Sequence, residues 1–499
     1  MIHIPVQIPV FANKVKTPSR SELLIINYSF SEIEMKTQVA FIVALLFLVL
    51  GAEASIHTDD FAKFMGRREI LRGTTPKSAM LKQNQFWFDQ LIDHFNPEDR
   101  RTFKQKYYVT DQFWDRENGP VILYICGEGP CSGVPEKRLF ISTLAEQNKA
   151  VVLSLEHRFY GVSQPFKDLS TENLRYLTVE QALEDLAHFI HWVKTNSTLG
   201  IGENRKWMTY GGSYPGALSA WFRYKYPHLT AGAVASSAVI NVITDFGDYD
   251  HQIYLSALKS GKWCTDRIQE LIKYVEGKLD SDPVSIKKEF KAEKLTDLEF
   301  LYYYSDSFSG MVQYGQRVQM CDLMRNDSFQ ERYDNLKQAI MGNNPEPYSA
   351  EYVRNDTWWP ERDPMRQWTW QTCIDMGWFQ SAYHNASESL RSSRLTGKFF
   401  LDFCEQVFGK GYIPDEKLSN SKRGGLKLDV SNLIMVNGCE DPWLWASRTE
   451  DFGNVIAYTI DCEGCAHCVD IKTPDEKDSW NLWWNRQKIS YHVSQWFKN

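Results

Sequence analysis

Positive charge is scarce in this sequence. Its 56 lysines and arginines are outnumbered by 63 aspartates and glutamates, for a formal net charge of −7. Nothing in that balance suggests the basic footprint of a nucleic-acid-binding protein. Internal repeats, low-complexity tracts and long runs of like charge are also missing, which argues against solenoids and disordered tails. Long apolar runs are missing too, with one short exception near the N-terminus. What the chain has is length and apolar content: 499 residues, 43% hydrophobic and 14% aromatic. That is enough for one large domain with an insertion, or for two domains.

The exception is "MKTQVAFIVALLFLVLGAEAS", which begins at Met35. Lys36 precedes an apolar run from Val39 to Leu50, and Ala52-Glu53-Ala54 is a small-x-small cleavage pattern. The stretch reads as a secretory signal peptide cut after Ala54. It is short for a membrane span, so the mature chain is expected to be soluble. Residues 1–34 are polar and mixed, and Met35 reads as the start of the translated chain.

Cysteine usage agrees with export. There are 10: Cys126, Cys131, Cys264, Cys321, Cys373, Cys404, Cys439, Cys462, Cys465 and Cys468. An even number in an exported chain predicts disulfides and no free thiol, with pairing unspecified. Sequons start at Asn196, Asn326, Asn355 and Asn385, each a candidate glycan site.

Buried-type apolar runs alternate with amphipathic stretches. "PVILYIC" (120–126), "AVVLSLEHR" (150–158), "KWMTYG" (206–211) and "AGAVASS" (231–237) read as strands. "EKRLFISTLAEQ" and residues 178–195 read as helices between them, the second with Val179, Leu183, Leu186, Ile190 and Val193 on one face. This order implies a parallel sheet covered on both faces. Two later strands, 432–438 and 454–460, precede a closing amphipathic helix at 480–497. Residues 246–350 are charged and helical in pattern, and read as an insertion over the carboxyl edge of the sheet. The expected organisation is therefore an extension and signal (1–54), a first sheet part (55–245), a helical lid (246–350) and a second sheet part (351–499). The tryptophan-rich stretch 351–425 has no clear pattern.

"WMTYGGSYPGALSAW" (207–221) runs from a strand through two glycines and one serine into a helix. A serine hydroxyl must stand clear of the backbone to react, and a tight bend between small neighbours provides that. Ser213 occupies the bend, and the Tyr214 N–H at the helix N-terminus can face a developing oxyanion. The usual pattern is G-x-S-x-G; here Pro215 stands two residues after the serine and Gly216 one later. Proline is tolerated in the first helical turn, so the elbow survives as a variant. A glycine-rich structural turn is the competing reading.

The partners should follow in chain order. "GCEDPWLW" places Asp441 just past strand 432–438, and "DCEGCAHCVDI" places His467 after strand 454–460. His228 and His251 come too early, His384 lies in the unplaced stretch, and His492 falls inside the last helix. Cys462, Cys465, His467 and Cys468 also resemble a metal cluster, but an oxidising compartment and the crowded spacing favour disulfides. A second oxyanion donor is expected from the backbone of Gly127 or Glu128. The Glu128 side chain is either a substrate-binding acid or a plain loop residue.

Several long motifs occur in a recognisable order: "FWFDQLIDHFN" (86–96), "YICGEGP" (124–130), "LSLEHRFYGVSQPF" (153–166), "LRYLTVEQALEDL" (174–186), "GGSYPGALSAWFRYKYPHL" (211–229), "AVASSAV" (233–239), "NGCEDPW" (437–443) and "CAHCVDI" (465–471). Together they resemble the prolyl carboxypeptidase family of serine peptidases, with "GEGPCSG" and "EHRFYGVSQPF" closest to its thymus-specific branch. The resemblance implies an α/β-hydrolase fold with a parallel-type central sheet and an inserted helical lid. It implies a triad of Ser213, Asp441 and His467, and hydrolysis after proline near a peptide terminus. It also implies a lysosomal or secreted location, glycans and frequently a homodimer. Two positions depart from the family: Pro215 replaces a small residue, and Cys468 stands where a second histidine is usual.

The expected protein is thus a secreted or lysosomal serine exopeptidase acting on peptides, either carboxypeptidase or dipeptidyl peptidase. No metal, organic cofactor or nucleic acid is implied. A catalytically silent binding protein and an esterase or lipase on the same fold are the alternatives.

Overall fold

The computed structural model describes residues 83–498, apart from 136, 137, 139 and 196. The signal peptide, the start at Met35 and the sequon at Asn196 lie outside the described residues. In chain order the strands are β1 (Asn84–Leu91), β2 (Thr102–Thr110), β3 (Val121–Ile125), β4 (Val151–Leu155), β5 (Trp207–Gly212), β6 (Gly232–Ser236), β7 (Ile243–Asp245), β8 (Gly377–Phe379), β9 (Leu433–Gly438) and β10 (Val455–Ile460). Eight of them form one sheet in the order β1-β2-β4-β3-β5-β6-β9-β10, and β7 pairs with β8 alone. β1 and β2 form an antiparallel edge; from β4 to β10 every pair is parallel.

The parallel part follows from residue type. β3 (VILYI) and β4 (VVLSL) are buried at every position, as strands covered on both faces must be. Alternate side chains serve opposite cores. Val121, Leu123 and Ile125 pack with the helices Val179–Thr195 and Tyr214–Lys225 through Leu186, Phe189 and Trp221. Ile122 and Tyr124 point the other way, toward the helices Phe140–Asn148 and Trp480–Lys498, through Leu144, Ile489 and Trp496. Such a doubly covered sheet, with a serine elbow after β5, is the α/β-hydrolase fold.

β1, β2 and the short pair β7 and β8 are the strands that pattern reading misses. β1 reads NQFWFDQL and exposes its first four residues, so its apolar signal is weak. Helical structure also runs further than position 350. Helices Ala350–Arg354, Met365–Gln371, Gly397–Phe408 and Glu416–Arg423 follow, and the sheet resumes only at Leu433. Among the described residues no helix is long and apolar enough to cross a membrane.

Four disulfides are present: Cys126–Cys131, Cys264–Cys321, Cys373–Cys404 and Cys462–Cys465. The expectation of complete pairing is corrected, because Cys439 and Cys468 are free. Cys439 lies beside the carbonyl of Cys462, whose sulfur is already taken by Cys465, and Cys468 is buried against the strand end at Gly212. The pairing of Cys462 with Cys465 also removes two thiols from the metal-cluster reading. Asn326, Asn355 and Asn385 are exposed, as a glycan would require.

Candidate active site

β5 is buried along its length and delivers the chain to Ser213, whose φ of 67° and ψ of −132° are strained for a residue with a side chain. The bend is held by its own backbone. Ser213 N–H donates to the Ser236 carbonyl at 2.9 Å, and the Ser213 carbonyl accepts from Ala217 N–H at 3.0 Å, the first bond of the following helix.

The glycines explain how a variant elbow closes. A Cβ on Gly211 would sit 2.1 Å from the Pro215 carbonyl oxygen. A Cβ on Gly216 would sit 2.6 Å from the Ser236 carbonyl oxygen, so this glycine lets the helix approach β6. A Cβ on Gly127 would lie 2.9 Å from Pro215 Cγ. Pro215 therefore fills space that a smaller residue would leave, and the need for smallness moves to Gly127 across the cleft. That contact also brings the loop after β3, with Gly127 and Glu128, against the helix start.

Asp441 follows the end of β9 and is fully buried; His467 lies in the loop after β10 and is 5% exposed. His467 Nδ1 is 2.9 Å from both Asp441 carboxylate oxygens. Gly438 permits this approach, since a Cβ there would lie 2.4 Å from the carbonyl oxygens of Cys465 and Ala466. The loop also reaches the serine strand: a Cβ on Gly212 would meet Cys468 Sγ at 3.0 Å. Cys468 N–H donates to Ser237 Oγ at 2.8 Å. The structure thus brings Asp441 and His467 into contact and packs the His467 loop against the residue before Ser213.

Burial alone would lower the basicity of His467, but the Asp441 carboxylate overrides it, with a further contribution from Cys468, and holds the imidazole well above its usual value. Burial raises the Glu128 carboxyl, opposed by Arg138 and His467. One Glu128 oxygen, Oε2, is buried without a hydrogen-bond partner. Of the rival histidines, His492 bonds Tyr458 at 3.0 Å.

Four polar contacts were not legible in the sequence. The Gln313 carbonyl accepts from His467 N–H at 3.0 Å, and Gln313 Oε1 accepts from Trp443 Nε1 at 3.1 Å and from Tyr249 OH at 2.8 Å. Gln371 Nε2 donates to Tyr214 OH at 2.9 Å. Lone glutamines in helical segments carry no local pattern, and only the long-range fold makes them neighbours. A small aromatic cleft adjoins this region, with Trp368, Trp378, Phe379, Phe400 and Trp443 among its walls. The Trp443 ring centre is 6.3 Å from that of His467.

A buried carboxylate holding one nitrogen of a histidine, on a loop packed against the residue before a serine on a strained bend, is suited to nucleophilic acyl transfer. Comparison with known proteins agrees. Residues 90–489 match the family described as Serine carboxypeptidase S28. The chain is 38% identical over 404 residues to a probable serine protease EDA2 of Arabidopsis thaliana, covering 78% of this chain and 81% of the relative. It is 31% identical over 448 residues to the thymus-specific serine protease of Homo sapiens, covering 83% and 86%. It is 26% identical over 487 residues to the lysosomal Pro-X carboxypeptidase of Homo sapiens, covering 91% and 97%. With a match that spans residues 90–489, this chain belongs to the serine carboxypeptidase S28 family and is a serine-type peptidase.

Proposed function

We propose that the protein is an exopeptidase that cleaves after proline near a peptide terminus, with Ser213 as nucleophile, His467 as base and Asp441 as its orienting acid. Ser213 Oγ attacks the scissile carbonyl carbon while its proton passes to His467 Nε2. The tetrahedral oxyanion is stabilised by the backbone N–H groups of Tyr214 and Gly127. Collapse of the intermediate breaks the C–N bond, and His467 returns the proton to the leaving amine. Water then attacks the acyl-enzyme by the same route, releasing the acid and restoring Ser213. Asp441 keeps Nδ1 protonated throughout, and Nε2 accepts the serine proton when the ring is neutral, a form that the raised pKa of His467 makes more abundant as pH rises.

The observation that carries this reading is the Asp441–His467 contact packed against the Ser213 elbow. The proline preference is supported by the aromatic cleft beside His467, whose tryptophan faces suit a rigid apolar ring. The name of the Pro-X carboxypeptidase relative points the same way. Glu128 reads the free terminus. Burial favours its neutral form, which has little attraction for an ammonium, and Arg138 faces it. This combination favours a peptide carboxylate over a peptide amine. Four disulfides, exposed sequons and the signal-like segment support a secretory or lysosomal route with glycans at Asn326, Asn355 and Asn385.

The test is a peptide panel with proline at the second position from either end, each end free or blocked. Loss of cleavage on amidating the carboxyl end is expected. Loss on blocking the amine instead would turn the reading to a dipeptidyl peptidase. Equal cleavage of internal bonds without proline would end it.

A further inference from the structure

We propose that Gln371 is a positioning residue that acts on the oxyanion hole through Tyr214. The inference rests on the reading above, in which the Tyr214 N–H faces the oxyanion. Tyr214 is fully buried, and its hydroxyl is held from two sides. His157 Nε2 lies 2.9 Å away and Gln371 Nε2 lies 2.9 Å away on the other side.

The proton positions in this network follow from its ends. Burial lowers His157 to a pKa of about 4, so its ring is neutral near pH 7. His157 Nδ1 lies 2.8 Å from the Arg158 carbonyl, which can only accept, so Nδ1 carries the proton and Nε2 is a bare acceptor. Tyr214 OH must therefore donate to His157. That leaves its oxygen lone pairs for Gln371, which must present its NH2 group. The Gln371 Oε1 end accepts from Tyr160 OH at 2.5 Å. A flipped amide would set Oε1 against an oxygen whose proton is already committed, so the arrangement has one stable polarity.

Gln371 comes from the helical interval and not from the sheet. It ends the helix Met365–Gln371 and begins a π-helical turn, Thr372–Met376. Two residues of positive φ follow, Gly377 at 62° and Trp378 at 56°, the second strained for a side-chain-bearing residue. The same stretch lines the aromatic cleft. Trp368 stands 5.9 Å from the Tyr214 ring and 6.2 Å from the Trp378 ring. The wall that touches the substrate and the amide that holds Tyr214 are thus one short segment, and cleft occupancy bears on the oxyanion residue through it.

The experiment compares wild type, Gln371→Leu, Tyr214→Phe and the double variant, with kcat and KM on a proline peptide and the rate of fluorophosphonate labelling. Gln371→Leu is expected to lower kcat about tenfold to a hundredfold, short of the loss from deleting an oxyanion donor outright. KM should stay within about twofold, labelling should slow in parallel, and the double variant should be no worse than the poorer single one. Gln371→Glu supplies a second readout. Its carboxyl donates to Tyr214 only when protonated, so its kcat relative to wild type should fall toward that of Gln371→Leu as pH rises. A raised KM with unchanged kcat, multiplying effects in the double variant, or a flat pH ratio for Gln371→Glu would overturn the proposal. Labelling separates the two levels. Equal rates for wild type and Gln371→Leu sink this inference alone, whereas a wild type that does not label at Ser213 sinks the reading beneath it.

Discussion

The carbonyl of Gln313, at the end of the helix Asp297–Gln313, accepts the backbone N–H of His467 at 3.0 Å, so a residue of the helical interval holds the loop that carries the candidate base. The Gln313 side chain at the same time accepts from Trp443 and Tyr249.

Gln313→Leu should therefore leave two donors without a partner. The expected cost is roughly 1–3 kcal/mol for each donor that stays dry. Activity should fall with it, because Trp443 lies two residues from Asp441. Denaturant unfolding together with kcat/KM checks this; a variant of wild-type stability and activity would contradict it.

Ser213→Ala should abolish turnover, by on the order of a millionfold as nucleophile loss does in a well-studied serine protease. Ser213→Gly should be equally inactive yet more stable than Ser213→Ala. Positive φ at a side-chain-bearing residue costs about 1–3 kcal/mol, more than the roughly 0.4–1 kcal/mol that glycine adds to the entropy of the unfolded chain. Thermal melting of the two inactive variants decides it.

The Asp441–His467 pair should leave a signature in stability against pH. Folding raises the His467 pKa, so its contribution is fully present below the unfolded value of about 6.5 and is lost as pH rises through the folded value. Asp441→Asn removes that contribution. The stability gap between wild type and this variant should be widest in acid and should narrow as pH rises. A gap that widens with pH would contradict the pairing. Turnover should fall by roughly ten-thousandfold through loss of the correct tautomer.

Gly127→Ala should lower kcat/KM by about tenfold or more, since its methyl would displace the Pro215 ring and with it the start of the helix. Pro215→Ala in the same chain should restore part of the loss by opening the space. No recovery in the double variant would mean that Gly127 matters for another reason.

Thiol titration without reductant should find two reactive groups after denaturation. Native protein should label first at the half-buried Cys439 and only on unfolding at the buried Cys468. Four labelled sites would mean that one disulfide is absent.

Much of this site can be read from the chain. The buried runs at 121–125, 151–155, 207–212 and 433–438 are strands because parallel strands must be apolar on both faces, and their ends locate Ser213 and Asp441. His467 follows from chain order. β1 was not legible, since an edge strand that exposes Phe86 and Trp87 has no clean alternation. Nor was the helical character of 351–425, where tryptophans obscure the period. Gln313 and Gln371 are invisible for a different reason: a single amide has no spacing to betray it. The free Cys439 and Cys468 were missed because an even count says nothing about geometry.

The neighbours β6 and β9 are distant along the chain: Ala233 pairs with Leu433, 200 positions later. Everything between them must be made, and largely ordered, before β9 and β10 can dock, and contacts of such separation form late in folding. The strand that leads to Ser213 leaves the ribosome early, but Asp441 and His467 arrive with the final strands. Under the proposed roles, a half-made chain would carry Ser213 without Asp441 or His467, and hydrolytic competence would wait for the final strands.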